Sequence, residues 1–446
     1  MNRYLGRLAV GLAAGSMAAT GIGVGAASAS NAHRAVAHRT KSVTITFWDD
    51  NGGPRTPLYE HLIPIFERQN PGIKVKYVGI PDTSVLEKYD TAIQGGSPPD
   101  IAAIPGGDLS AIIAQNALIS LNKYYQNSKI YGQILPTLLK PTQAISPNGK
   151  TLYALPFSGV PATLWCNLNI LRPAGVTCPT TWNAFFTDAV KLTNANKNIY
   201  GFTMRGAAGA TTQLIDEMIS YAGLKRFFQP NGKTSLQSPR VLQFLQKFVG
   251  LYKKATPAAD VDNSYLQMVA EFDSNKVGMM LHNLGSYASN VAAVGGKQNL
   301  VGEPDPAGPF NQGRVTMAAP GLDTYGIFKA SKHQAQAWKF EQFLLGAEAN
   351  GYWNKNVGQL PANKNVLKQA WVHQQQPVGS LLAALSSKHT YAVSLPNYLP
   401  QYGAIQNNSD PLWQEVMTGQ ITPAQWLDQL CSALDQAQSL WTHGHK

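Results

Sequence analysis

Charge is scarce in this chain. Charged side chains make up 14% of it, against about 25% in an ordinary soluble domain. The balance is basic, a net +11 at pH 7. Yet lysine and arginine are scattered and nowhere form the block that a nucleic-acid surface needs, so no nucleic-acid partner is expected. Only three cysteines occur, Cys166, Cys178 and Cys431, and none has CxxC spacing. The nine histidines show no ligand spacing either, so neither metal nor cofactor is expected. GxSxG, HExxH and Walker A signatures are missing. Internal repeats are missing too, which argues against a purely structural surface protein. Disorder is excluded by what is plentiful: 18 Tyr, 15 Phe and 9 Trp can bury a large apolar area. At 446 residues the chain is long enough for two ordinary domains.

The first residues, MNRYLGRLAVGLAAGSMAATGIGVGAASAS, combine Arg3 and Arg7 with a small-residue apolar stretch and Ala27-Ser28-Ala29. This pattern predicts a secretory signal peptide over 1–29. Glycines interrupt the stretch, which disfavours a retained anchor, and no cysteine lies near the cleavage site for a lipid. A polar leader follows over 30–40. No later apolar run is long enough to cross a bilayer. The protein is thus expected to be exported, in a compartment that permits disulfides. The spacing of Cys166 and Cys178 allows a short disulfide loop and equally allows two buried thiols, and spacing alone does not choose.

Strands and helices then alternate. Val43, Ile45 and Phe47 alternate with threonines as a strand. Thr56-Pro57 reads as an N-cap and first turn, followed by Leu58, Leu62, Ile65 and Phe66 on one helical face. Pro64 inside that pattern should kink or shorten the helix. Ile73, Val75 and Tyr77 make a second strand. Ile101–Ile104 is a wholly apolar run, as in a buried parallel strand. A β-α-β-α-β-α order over 41–120 implies a parallel sheet covered by helices. Thr181, Ser238-Pro239 and Thr422-Pro423 each open a further helix. The last of these is expected to turn Trp426, Leu427, Leu430, Leu434 and Leu440 inward. Val277–Leu281 is a strand candidate.

Several segments, in order, resemble the extracellular solute-binding proteins of ABC importers, in the family that includes maltodextrin and other sugar binders. They are VTITFWDD…FERQNPGIKVKYV, GGSPPDIAAIPGGDL, GKTLYALPFSGVPATLWCNLNIL, PTTWNAFFTDAVKLT, AEFDSNKVGMMLHNLGSYAS and TYGIFKASKHQAQAWKFEQFLL. Asn183-Ala184 stands where the family often has Glu. The likeness spans roughly residues 42–446. It implies an α/β fold of the two-lobed periplasmic-binding-protein type II, each lobe a mainly parallel sheet flanked by helices. Three hinge crossovers are expected near Ala154–Ser158, Gly313–Pro320 and Gly358–Ala362. The lobes would be 41–155 with 320–358, and 159–315 with 363–446. The implied function is capture of a sugar or oligosaccharide by hinge closure and delivery to the transmembrane subunits of an ABC permease. The protein would be a monomer without catalytic residues, in the periplasm or on the outer face of the cell membrane. A secreted glycoside-active enzyme is one alternative. Its two carboxylates would lie about 5 or 6.5–9.5 Å apart, and Asp49, Asp50, Asp108, Asp216 and Glu217 show no recognisable pairing. A ferric-ion or other solute binder of the same fold, using clustered tyrosines, is another.

Ligands of open α/β sheets sit at the carboxyl ends of strands. Hydroxyl arrays call for Asp, Asn and Arg in bidentate geometry, and sugar faces call for aromatic platforms. In the first lobe the candidates are Asp49, Asp50, Asn51 and Arg55, then Asp108. Asp49 and Asp50 are neighbours on a strand, so one of them should face away. Turn formation and capping are competing roles for both, and Asp108 is also a natural N-cap. The resemblance places Ser158 and Trp165 at the first crossover, with a core role open for Trp165. In the second lobe Arg205 follows the strand-like run Tyr200–Met204. Asn283, Ser286 and Tyr287 follow the Val277 strand, and Tyr287 stands where the family often stacks a Trp on a sugar ring. Tyr325 stands where the family's chain returns to the first lobe. Tyr391, Tyr398 and Tyr402 mark a segment that, by the resemblance, offers aromatics to the cleft.

Overall fold

The structure, a computed structural model, describes residues 42–81, 84–311 and 314–444. The expected signal peptide, polar leader and Gly313 lie outside them. Twelve strands occur among the described residues. They are β1 (Val43–Asp49), β2 (Ile73–Gly79), β3 (Ile101–Pro105), β4 (Leu155–Val160), β5 (Ala162–Asn167), β6 (Tyr200–Thr203), β7 (Val277–Asn283), β8 (Leu300–Glu303), β9 (Val315–Ala318), β10 (Gly321–Ile327), β11 (Leu360–Pro361) and β12 (Thr390–Val393).

Alternation in β1 buries Ile45 and Phe47 completely and turns the threonines outward. The helix Thr56–Gln69 follows, with Tyr59, Leu62, Ile63 and Phe66 buried. Contrary to expectation, Pro64 neither shortens nor ends it. The carbonyl that loses its partner belongs to Glu60, on the exposed face, where water can take the hydrogen bond. Thr56 is the first helical residue rather than the cap. Its Oγ1 accepts from the Gly53 N–H at 3.0 Å. Thr181 and Ser238 do cap, accepting from the Ala184 and Arg240 N–H groups at 3.3 Å each. Leu440, expected inward, is 60% exposed, because the helix Pro423–Gly444 outruns the core it packs on.

A six-stranded sheet has the order β11-β4-β10-β3-β1-β2. β1 pairs parallel with β2 and β3, while β10 and β11 pair antiparallel with their neighbours. The sheet is therefore mixed where a mainly parallel one was expected. The parallel strands are joined by crossover helices, whereas β4 and β10 connect directly to strands of other sheets, and such connections leave strand direction free. A four-stranded sheet, β6-β7-β5-β8, is mixed for the same reason, and β9 and β12 form a parallel pair. The chain passes from the six- to the four-stranded sheet at Pro161, between β4 and β5, and returns through Ala319 and Pro320, between β9 and β10.

The six-stranded and the four-stranded sheet, each with its helices, make the two lobes of an α/β fold. Phe47, Phe66, Tyr325, Phe340 and Trp353 anchor the core of the first. Trp182, Phe185, Phe244, Trp413 and Trp426 anchor the second, and Trp165, Met280 and Leu284 fill its other face. Cys166 and Cys178 form a disulfide with Cα atoms 5.7 Å apart, and Cys431 is a buried free thiol. No described helix is long and apolar enough to cross a membrane.

Candidate functional site

At the carboxyl end of β1 the chain makes a tight turn. Gly52 lies so close to β2 that a Cβ there would sit 2.5 Å from the Gly79 backbone. The Gly52 N–H donates to the Ile80 carbonyl at 2.8 Å. Gly53 has φ +105°, a value that favours glycine. This turn sends Asp49 and Asp50 in different directions. Asp49 is buried away from solvent, with one oxygen accepting from the Tyr77 hydroxyl at 2.9 Å. Asp50 lines a cavity of about 760 Å³, inside the range of about 300–1,000 Å³ usual for small-molecule sites.

Arg55 sets the floor of that cavity on the first-lobe side. Its Nη1 donates to Asp50 Oδ1 at 2.8 Å and its Nη2 to Asp323 Oδ2 at 2.9 Å. The guanidinium carbon lies 5.2 Å from the Trp353 ring centre, a cation–π contact. All three charged groups are less than 9% exposed. Burial pushes Asp50 and Asp323 up to about 6, although Arg55 pulls both down. Burial also opposes the charge on Arg55, but Asp323 and Asp50 outweigh it and hold Arg55 as a cation.

The second lobe closes the other side. His282, at the end of β7, is pushed down to about 3 by burial and by Arg205 and so is neutral. Its ring stacks on Tyr265, 5.6 Å between centres and 10° between planes. The Tyr265 hydroxyl donates to Asn51 Oδ1 at 2.9 Å, a direct bond between the lobes. Arg205 lies 5.8 Å from the Tyr265 ring centre, and its Nε donates to the Ala208 carbonyl at 2.6 Å. Asn283 and Ser286 also line the cavity. The Asn283 side chain accepts from the Gly285 N–H at 2.8 Å and so fixes its own turn.

The helix Ala210–Ala222 contributes the most unusual wall. Its N-terminal N–H groups are satisfied by Asp410, which accepts from Gly209 and Thr211 at 2.6 and 2.8 Å. Thr212, Gln213, Asp216 and Glu217 recur at helical spacing on one face and line the cavity together with Asp305. Gln213 Nε2 donates to Glu217 Oε1 at 2.9 Å. Glu217 Oε2, Asp216 Oδ1, Asp305 Oδ2 and the Tyr402 hydroxyl have no protein partner. Burial raises both Asp216 and Glu217 well above the carboxylate range, and the charge of Asp305 adds to it. Burial raises Asp305 to about 7.

Eight of the residues singled out from the sequence thus line the cavity: Asp50, Asn51, Arg55, Asp108, Arg205, Asn283, Ser286 and Tyr402. Asp108 is the third residue of the helix Gly106–Ala114 and does not cap it, since Pro105 holds the cap position. Seven others stand elsewhere. Trp165 is fully buried, and its Nε1 donates to the Asn283 carbonyl at 3.1 Å, bracing the strand end from behind. Tyr287 stacks on Trp165 with centres 6.2 Å apart rather than facing the cavity. Tyr325 is core, its hydroxyl 2.9 Å from that of Tyr59 and its ring stacked on Phe157. In each case the ring's area is better buried against another ring than left at a polar wall. Ser158 is buried and donates to Gln359, which does line the cavity. Asp49, the neighbour of Asp50, is buried against Tyr77 and does not reach the cavity. Tyr398 donates to Gln438 and belongs to a separate cavity of about 320 Å³. Tyr391 is 45% exposed on β12, so the three tyrosines do not converge. Asp305, Asp323, Tyr265 and Gln359 also line the cavity, and none of them carries a local signal in the sequence. Asp216 and Glu217 do carry one: two adjacent acids inside the otherwise apolar run LIDEMI.

Comparison with known proteins agrees with this geometry. The family model described as bacterial extracellular solute-binding protein matches residues 51–351. A putative binding protein of Brucella abortus (strain 2308) is 26% identical over 342 residues, covering 74% of this chain and 78% of its own. The putative ABC transporter periplasmic-binding protein YcjN of Escherichia coli (strain K12) is 22% identical over 331 residues, covering 71% and 72%. Among solved structures, the GacH receptor of Streptomyces glaucescens GLA.O, described unliganded and with acarbose, superposes with a TM-score of 0.77. It is 20% identical and covers 89% of this chain and 99% of its own. Maltose-bound MalE3 of T. maritima gives a TM-score of 0.77 at 22% identity, covering 88% and 99%.

Proposed function

Because the chain belongs to the bacterial extracellular solute-binding proteins, we propose that it captures a carbohydrate in the cavity between its lobes and hands it to the transmembrane subunits of an ABC permease. The carrying observation is the cavity itself. Its polar groups come from both lobes, and the Tyr265 hydroxyl reaches across to Asn51. Asp50, Arg55, Asn51 and Asn283 supply acceptors and donors for hydroxyls, and the Tyr402 hydroxyl adds a group with no protein partner. The reading extends to hinge motion about the passages at Pro161 and at Ala319–Pro320. A guest gripped from both sides stabilises the shut form and shifts the population toward it. The related proteins named above, described as binding acarbose and maltose, support a carbohydrate guest here. On this reading the protein works as an exported monomer at the outer face of the membrane, without turnover.

A thermal-shift screen over sugars, polyols and oligosaccharides tests the reading. A guest at 100 times its dissociation constant should add about 2.7 kcal/mol of stability. Silence across the whole panel, or chemical turnover of any sugar, defeats it. Tyr265→Phe removes one interlobe hydrogen bond, worth about 1 kcal/mol. It should therefore weaken capture about fivefold by titration calorimetry. An unchanged dissociation constant would mean that this contact plays no part in closure.

A further inference from the structure

The cavity wall is acidic beyond what its own cations can balance. Among the described lining residues are seven carboxylates and two arginines. Arg55 is already committed to Asp50 and Asp323, and His282 is uncharged. Among the described residues, Asp216, Glu217 and Asp305 on the second-lobe wall form no ion pair, and each presents an oxygen with no protein partner. Glu217 and Asp305 are 1% and 3% exposed. A carboxylate buried this deeply is costly unless it is paired and hydrogen-bonded. Here the like charge of Asp305 adds to the cost of both Glu217 and the neighbouring Asp216.

Resting on the reading of the cavity as a capture site, we propose that the captured carbohydrate carries a protonated amine, as an amino sugar does, seated on Asp216, Glu217 and Asp305. An ammonium group brings one positive charge and three donors to a wall that offers only acceptors. Charge-assisted bonds of this kind are about twice as strong as neutral ones. A divalent metal ion fits less well, since the described residues contain no group of three or more His, Cys, Asp or Glu placed to hold one. A purely aliphatic polyamine fits less well too. Asn283, Ser286, Asn397 and Gln406 also line the cavity, and their amides and hydroxyls match sugar hydroxyls rather than methylenes. The rise of the three acids in the ligand-free protein agrees: a bound cation would draw off the protons that burial retains.

Titration calorimetry on the full mature protein at pH 6, where the amine is charged and the raised acids hold their protons, tests this, using matched pairs: glucosamine with N-acetylglucosamine and glucose, and the glucosamine dimer with its N-acetylated counterpart. The amine is expected to bind at least tenfold more tightly than either neutral partner, with proton release that makes the apparent enthalpy depend on the buffer. Glu217→Gln should narrow that gap while the fold, read by circular dichroism, persists. Neutral sugars binding as tightly as their amines would overturn the amine seat and leave carbohydrate capture standing. Binding of spermidine with no response to any sugar would keep the cation seat and overturn the carbohydrate reading. No response to any of these compounds would overturn both.

Discussion

Replacing Arg55 with methionine is expected to lower the unfolding free energy by about 3–5 kcal/mol at pH 8, the usual cost of removing one partner from a buried ion pair. Asp50 and Asp323 would be left facing each other within a wall that water barely reaches. The stacking of the guanidinium over Trp353 would go as well. Urea denaturation gives the number. The same measurement at pH 5 should show a smaller loss. Both acids stand near 6 even with Arg55 present, and without it they rise further and lie neutral at pH 5. Adding Asp50→Asn and Asp323→Asn to the Arg55→Met protein should recover most of the loss at pH 8. A single variant as stable as the parent at pH 8 would show that the arginine is not what holds these acids.

Stability of the ligand-free protein is expected to fall as pH rises from about 4 to about 8, the reverse of ordinary acid denaturation. Asp305 titrates near 7 in the folded chain because it is buried, and near 4 when unfolded. Between those values the folded state binds the extra proton, so the unfolding free energy decreases with pH. The contribution is complete below about pH 4 and gone above about 7. A three-unit displacement corresponds to a fall on the order of 4 kcal/mol. Asp216 and Glu217, also raised by burial, act in the same direction, as does Asp108, raised to about 7 by burial with Asp50 and Asp90 adding. Arg55 stays charged throughout, and His282 stays neutral. Thermal unfolding at pH 5 and pH 8 checks the sign. A midpoint at pH 8 equal to or above that at pH 5 would mean that the cavity acids are not held protonated.

Much of the scaffold was legible because it is written locally. The alternation of β1, the apolar Ile101–Ile104 run and the caps at Thr181 and Ser238 each depend on a few neighbouring residues. The order of the family-like segments supplied the rest of the architecture. What was not legible depends on distant partners. Nothing near Arg55 announces Asp323, 268 positions away. Strand direction in β4 and β10 follows from where the chain returns, which no short window records. Three aromatic candidates lie outside the cleft for a common reason. Trp165, Tyr287 and Tyr325 were judged by chemistry and strand-end position, whereas each had another ring available to pack against. The acids of the Ala210–Ala222 helix were visible as an anomaly in an apolar run. They became informative only when helical spacing put them on the face turned toward Asp305.

Cys431 has a practical consequence. It is fully buried on the last helix, and burial pushes its thiol up to about 12, with Asp435 and Asp428 adding. The other two cysteines are oxidised to each other. The native molecule therefore presents no reactive sulfur among its described residues. A maleimide or disulfide reagent reaches this position only in molecules that have opened. Labelling at one natural site thus times unfolding directly, with no engineered reporter.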